Sequence, residues 1–280
     1  MVIRPLTPHP ALMLEGDETV LVIADVHLGF ELELMESGIN IPSQTRRLAE
    51  AVRELVETHG PDRLLILGDL KHNVPTVSLQ ERMDVPEFLD QISRMVPVEV
   101  VVGNHDGMLD TLTPPTVAIR PSKGVMLRDG DEAVAFFHGH SWPDPKLLSA
   151  NAMVMAHIHP TVAFKTRFGF CLFERVWVKC VCDGEALARG YLEYRGAKPG
   201  ADPKKTFREK FGVAVGNPRL IVMPAFNESL GGAPVNARVD KQLSPVLRSN
   251  AVRVDECEVY LLDGTYLGDV RHLRPLVRQP

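Results

Sequence analysis

The sequence predicts a layered α/β fold, a sandwich of two β-sheets over a single domain of residues 1–280. Three observations carry this. Five short apolar runs each stop on an Asp, His or Asn residue. A long amphipathic pattern separates the first two runs and suits a crossover between parallel strands. Later segments alternate polar and apolar residues, as half-buried antiparallel strands do.

Taken in order, Ala11–Leu14 and Thr19–Ala24 flank Glu15-Gly16-Asp17-Glu18 and read as an opening strand pair. The first apolar run, Val20–Ala24, ends on Asp25-Val26-His27. Ser43–His59 is the clearest helix, with Leu48, Ala51, Val52, Leu55 and Val56 on one face, Ser43 as a cap and Gly60-Pro61 as a stop. Leu64–Leu67 then runs into Gly68-Asp69. Val85–Met95 is expected as a second helix, with Pro86 in its first turn. Val98–Val102 meets Gly103-Asn104-His105-Asp106, Val134–Phe137 meets His138-Gly139-His140, and Met153–Ala156 meets His157-Ile158-His159. A short helix over Lys146–Asn151 precedes the last of these.

After His159 the texture changes. Phe170–Cys182 reads as a half-buried antiparallel strand, and Leu220–Pro224 is another apolar run. Residues 197–217, rich in Lys, Gly and Pro, are expected as a long loop. Glu258–Leu262 and Thr265–Val270 around Asp263-Gly264 give a hairpin signal, and residues 271–280 are expected as a flexible tail.

The 280 residues are 45% apolar and 24% charged, ordinary for a globular protein. A net charge of −5 argues against a generic polyanion-coating protein. It does not exclude a nuclease, because bound divalent cations reverse the sign locally. No apolar run reaches the roughly 20 residues needed to span a bilayer, and the N-terminus has no signal-peptide pattern. Cys171, Cys180, Cys182 and Cys257 lack metal-site spacing and are expected as reduced structural thiols in a cytoplasmic protein.

Open α/β sheets bind ligands beyond the carboxyl ends of their strands. Five such ends here carry oxygen and imidazole donors, a mixture that suits Mn, Fe, Zn or Ni. The order D-x-H, G-D, G-N-H-D, a lone His and a closing H-x-H resembles the calcineurin-like metallophosphoesterases. Ala156 stands where that family usually has glycine.

The resemblance implies a four-layer α/β/β/α sandwich of two mixed sheets and two divalent metal ions. It implies Asp25, His27, Asp69 and His159 around the first ion, and Asp69, Asn104, His138 and His157 around the second. A water shared between two cations becomes the nucleophile of phosphate-ester hydrolysis in such sites. His105 is implied near the leaving oxygen as a general acid or electrostatic stabiliser, with Asp106 as its orienting partner.

Gly68-Asp69-Leu70-Lys71-His72, His138-Gly139-His140-Ser141-Trp142-Pro143 and Ala225-Phe226-Asn227 with Gly231-Gly232-Ala233-Pro234-Val235-Asn236 are also similar to the ICC-like phosphoesterase group. That narrower likeness implies a Mn²⁺-dependent phosphodiesterase acting on single-stranded DNA, in DNA repair and in association with a DNA helicase. His72, His140 and Trp142 are candidate substrate contacts, with an exposed loop histidine and a packing indole as their plainer readings. Lys71, Arg46 and the Lys204–Lys210 cluster are candidate backbone contacts for DNA. Two alternatives stand beside this reading. One is a hydrolase of a small nucleotide or lipid-linked pyrophosphate. The other is a non-catalytic scaffold on the same fold.

Overall fold

The computed structural model describes residues 1–166, 169–237 and 244–276. The first sheet has six strands in sequence order: β1 (Val2–Pro5), β2 (Leu12–Glu15), β3 (Thr19–Ile23), β4 (Arg63–Leu67), β5 (Val98–Val101) and β6 (Val117–Arg120). The β1–β3 meander is antiparallel, whereas β3 to β6 are parallel. Three helices lie in its connections: α1 (Phe30–Glu36), α2 (Thr45–His59) and α3 (Leu79–Ser93).

The second sheet has nine strands. These are β7 (Val125–Asp129), β8 (Glu132–Phe136), β9 (Ala152–Met155), β10 (Pro160–Lys165), β11 (Cys171–Val181), β12 (Arg219–Val222), β13 (Ala233–Pro234), β14 (Glu258–Leu261) and β15 (Tyr266–Asp269). Their main path runs β13-β10-β11-β12-β9-β8-β7, and it is also mixed. The eleven-residue β11 is shared along its length: residues 171–175 pair with β10, and residues 178–181 pair with β12. Helices α4 (Gly184–Tyr194), α5 (Pro203–Phe211), α6 (Pro245–Arg248) and α7 (Val270–Leu273) complete the described chain.

Strand alternation builds the layers. Val20 and Val22 point between the sheets, where Leu65, Leu67 and Val101 meet Val134, Phe136, Val154 and Ile221. Leu21 and Ile23 point the other way, onto Leu48, Val52 and Leu55 of α2 and Val85, Phe88 and Leu89 of α3. On the far side, Ala135, Met153, Met155 and Leu220 pack beneath Leu187, Ala188 and Tyr191 of α4 and Phe207 of α5. The order is α/β/β/α.

Several local expectations differ. Helix α3 begins at Leu79, six residues before Val85, because Ser78 and Glu81 form a reciprocal capping box. Pro86 therefore lies inside that helix rather than in its first turn. Gln44, not Ser43, is the N-cap residue of α2; the Ser43 hydroxyl donates to Asp84 and accepts from the Thr45 N–H at 3.3 Å. The 197–217 stretch is not all loop. Asp202 caps α5 by accepting from the Lys205 N–H, Pro203 opens it and Gly212 closes it. Within 271–280, residues through Leu276 lie in α7 and a 3₁₀ turn with Leu273 buried; residues 277–280 fall outside the described residues. Cys180 and Cys257 are joined in a disulfide, which corrects the expectation of four reduced thiols. Among the described residues, no helix is long and apolar enough to cross a membrane.

Candidate metal centre

The C-terminal ends of β3, β4 and β5 in one sheet, and of β8 and β9 in the other, deliver their side chains to one place. The loops after β3 and β4 are sewn together first. The His27 N–H donates to the Asp69 carbonyl at 2.9 Å, and the Leu28 N–H to the Leu70 carbonyl at 2.8 Å. The Phe226 N–H donates to the Ala24 carbonyl, and the Asn227 amide to the Val26 carbonyl at 3.1 Å. The Ala225-Phe226-Asn227 motif thus supports the Asp25–His27 turn.

Backbone conformation marks the same residues. Asp25, His27, Asp69, His157 and His159 all adopt positive φ, between 42° and 73°. Such conformations cost of order 1–3 kcal/mol each and cluster at functional sites. Ala156 is not among them, so its methyl group meets no backbone penalty. Gly68 and Gly103 permit close approach. A Cβ on Gly68 would lie 2.3 Å from the His138 ring nitrogen, and one on Gly103 would lie 2.2 Å from Asp69 Oδ1.

Among the described residues three compact donor groups result. Asp25, His27 and His159 form one and Asp69, His138 and His157 another; the third, His27, His72 and His105, shares His27 with the first. Asp69 Oδ2 lies 3.0 Å from His138 Nε2 and 3.6 Å from His27 Nε2, so this carboxylate stands between the first two groups. Its other oxygen accepts from the His105 N–H at 2.8 Å. Asn104 Oδ1 lies 3.2 Å from His138 Nε2.

Outer contacts choose the inward nitrogen of two rings. His138 Nδ1–H donates to the Leu67 carbonyl at 2.9 Å, and His159 Nδ1–H to the Gly231 carbonyl at 3.1 Å. Each ring then presents Nε2 inward, as metal-bound histidines do. Gly231, in the Gly231-to-Asn236 motif, supplies this contact.

The donor chemistry fits a cation. Around His138 Nε2 the nearest polar atoms are the Asp69 carboxylate and the Asn104 carbonyl oxygen, both acceptors. Among the described residues, Asp25 Oδ1, His27 Nε2 and His159 Nε2 are buried without any hydrogen-bond partner. Buried polar atoms are rarely left so; all three belong to the Asp25–His27–His159 group, where one divalent ion would satisfy them together.

Electrostatics say the same. Burial works against charge on His138, yet Asp69 beside it pushes the imidazole up to about 9. Burial would also raise the Asp69 carboxyl, but His138 holds it far below the usual range. Burial lowers His27 to about 3, and burial with the nearby positive His138 lowers His157 to about 4. His27 and His157 are therefore neutral at pH 7, the form that binds metal.

The remaining sequence candidates separate. His105 lies edge-on to His27, ring centroids 4.7 Å apart, and its Nδ1–H donates to the His72 carbonyl. Asp106 does not orient it. Asp106 Oδ2 accepts from the Asp69 and Gly103 N–H groups at 2.8 Å, and Oδ1 from Leu70 and Lys71 at 2.9 and 3.2 Å. That carboxylate braces the Asp69 turn against the loop after β5. Burial, with Asp69 nearby, pushes it up to about 6.

His140 is half-buried beside His138 and His157, and burial lowers it to about 4. Trp142 is only 5% exposed, packed edge-on against Tyr191, so its indole has no open face for a base. Lys71 is fully buried with its ammonium on the Asn73 carbonyl, so it cannot grip a DNA backbone. Arg46 is exposed beside Glu50, and the Lys204–Lys210 cluster lies on α5, which packs with α4 on the outer face of the second sheet. His72 has both ring nitrogens engaged, by Glu33 and His27. Glu33 was not singled out from the sequence, since it acts across a turn that spacing alone does not close.

The family model for calcineurin-like phosphoesterases matches residues 18–171, which contain these donor groups. Among solved structures, the Pseudomonas putida nuclease MPE aligns with 91% of this chain and 98% of its own, at 15% identity and a TM-score of 0.45. Yfce, a phosphoesterase from E. coli, aligns with 52% of this chain and 73% of its own, at 22% identity and a TM-score of 0.35.

Proposed function

The chain belongs to the calcineurin-like phosphoesterase family and is a metal-dependent phosphoesterase; we propose that it is a two-metal phosphodiesterase that cuts single-stranded DNA. One observation carries the two-metal half: carboxylate and imidazole groups converge on two adjacent points, and the Asp69 carboxylate lies between them. Asp25, His27, Asp69 and His159 would hold one ion; Asp69, Asn104, His138 and His157 would hold the other. Manganese is the proposed metal, with Fe, Zn and Ni compatible with the same donors.

When bound, two divalent cations supply positive charge to the phosphoryl oxygens and acidify water into a nucleophile. The chain's residues do the rest. The Leu67 and Gly231 carbonyls hold His138 and His159 with Nε2 inward. Asp106 holds Asp69 in its strained turn through four main-chain N–H groups. His105, fixed through Nδ1–H, keeps Nε2 for a proton that the leaving oxygen takes, a general-acid role.

The substrate half rests on the likeness of the Gly68–His72, His138–Pro143 and Ala225–Asn236 motifs to the ICC-like group. Action in DNA repair beside a helicase follows from the same likeness. The test is metal-loaded protein on circular single-stranded DNA, compared with a nitrophenyl phosphodiester. Internal cleavage of the circle is expected. Hydrolysis of the small diester with an intact circle would favour a small-nucleotide or lipid-linked pyrophosphate substrate. Hydrolysis of neither would favour a scaffold.

A further inference from the structure

One histidine outside the Asp25–His27–His159 and Asp69–His138–His157 groups is tied at three points. The His72 N–H donates to the Leu28 carbonyl and to Glu81 Oε1, both at 3.0 Å, which fixes its place between β4 and α3. Its carbonyl accepts from His105 Nδ1–H. Its ring packs edge-on against Phe30, with centroids 5.1 Å apart, and has a nitrogen engaged at each end.

Those two ring contacts have only one consistent proton arrangement for neutral rings. Glu33 Oε2, 2.7 Å from His72 Nε2, is a carboxylate oxygen and can only accept. His72 Nε2 must therefore carry the proton, leaving a lone pair on Nδ1. That lone pair faces His27 Nδ1 at 3.0 Å, so His27 Nδ1 must be the donor. His27 Nε2 is then the lone-pair nitrogen. Among the described residues it is a buried atom without a hydrogen-bond partner, 3.6 Å from Asp69 Oδ2. A carboxylate on α1 thus dictates, through His72, which nitrogen of a buried ligand faces the centre. Such outer partners fix the tautomer and ring orientation of metal-binding histidines.

We infer that Glu33 and His72 are positioning residues that lock His27 in its Nδ1–H tautomer, so that the cation affinity of the Asp25–His27–His159 group is set from helix α1. This rests on the two-metal reading proposed above. Donor atoms of His27, His72 and His105 also lie within 4.8 Å of one another, so a third cation is the competing occupant. It would require His27 to bind through both nitrogens and His72 to turn from Glu33.

The experiment titrates metal-free full-length protein with Mn²⁺ alone and follows the histidine ring nitrogens by ¹⁵N NMR without metal. Three variants are used. H72L fills the space but offers no acceptor. H72N places an amide oxygen where Nδ1 stands and can accept from His27. E33A removes the exposed carboxylate and leaves the interior intact. H72L should weaken one of two Mn²⁺ sites by about 10–100-fold and leave the other unchanged. H72N should stay within about threefold of wild type on the same scale, and E33A should fall between. In the metal-free protein His27 should be Nδ1–H in wild type and H72N, and lose that preference in H72L. Equal weakening by H72L and H72N, or of both sites together, would overturn the inference in favour of loop packing. A third Mn²⁺ in wild type that H72L abolishes would overturn it in favour of a cation site. Wild type that binds fewer than two ions contradicts the two-metal reading, while the NMR tautomer still decides the positioning claim separately.

Discussion

At Asp106, four main-chain N–H groups meet one buried carboxylate, and that count decides its role. A buried donor left without an acceptor costs about 1–3 kcal/mol. Asp106→Ala should therefore destabilise the protein by roughly 3 kcal/mol or more in denaturant titrations, and should lower metal content because Asp69 loses its brace. His105→Ala should keep both metals and lose about 10²–10⁴-fold in turnover if it acts as general acid. Metal analysis of the two variants separates the roles; equal loss of metal in both would make His105 a ligand. Trp142 gives a second residue-scale contrast. Removing so buried an indole should cost about 3–5 kcal/mol of stability. The ratio of rates on single-stranded DNA and a small diester should not change, and a selective loss on DNA would restore Trp142 as a stacking platform. The residues that converge in the donor groups were legible because each follows an apolar strand, a pattern that local sequence records. The job of Asp106 was not. Adjacency to His105 implied a dyad, whereas the carboxylate turns back to the β4 loop, 36 residues away in sequence.

At the scale of elements, the first turn of α3 does two jobs. Glu81 closes the capping box with Ser78, and its Oε1 accepts from the His72 and Asn73 N–H groups at 3.0 and 2.7 Å. Helix α3 and the loop after β4 therefore share one carboxylate. Burial would raise Glu81, but the N–H groups of Ser78 and Asn73 hold it below its ordinary 4.5. A carboxyl depressed in the folded state adds stability above its unfolded value, and that stability fades as pH falls through the folded one. Glu81→Gln should thus be less stable than wild type at pH 7, and the gap should narrow below pH 4.5. A gap that is constant with pH, measured by urea unfolding, would show that the charge contributes nothing. The box was readable in Ser78-Leu79-Gln80-Glu81, but Pro86 drew the expected start of the helix to its own first turn. Helix α5 was obscured in a similar way, because Lys- and Gly-rich composition outweighed the Asp202-Pro203 start signal.

For the whole molecule, the sandwich separates the thiols into three environments. Cys171 is exposed, Cys182 is buried with its thiol pushed up to about 12, and Cys180 is joined to Cys257. A thiol reagent at pH 8 should label one cysteine in the native protein, a second on unfolding, and the last two only after reduction. Rapid labelling of three or four sites in the folded protein would contradict this arrangement. The bridge was not legible, since residues 77 apart give no pairing signal until β11 and β14 come together. The layered order was legible, because continuous apolar runs mark strands buried on both faces. What brings two sheets' strand ends to one site is the tertiary pairing of their loops, which composition does not reveal.

The central claim is that two donor groups sharing Asp69 make one two-metal phosphodiesterase site. The most direct measurement counts the divalent ions bound per chain and follows phosphodiester hydrolysis through chelation and Mn²⁺ restoration. Two ions per chain, hydrolysis lost with the chelator and recovered on adding Mn²⁺, is the predicted result. Full hydrolysis in the chelated protein, or a chain that binds a single ion at saturation, would contradict the account.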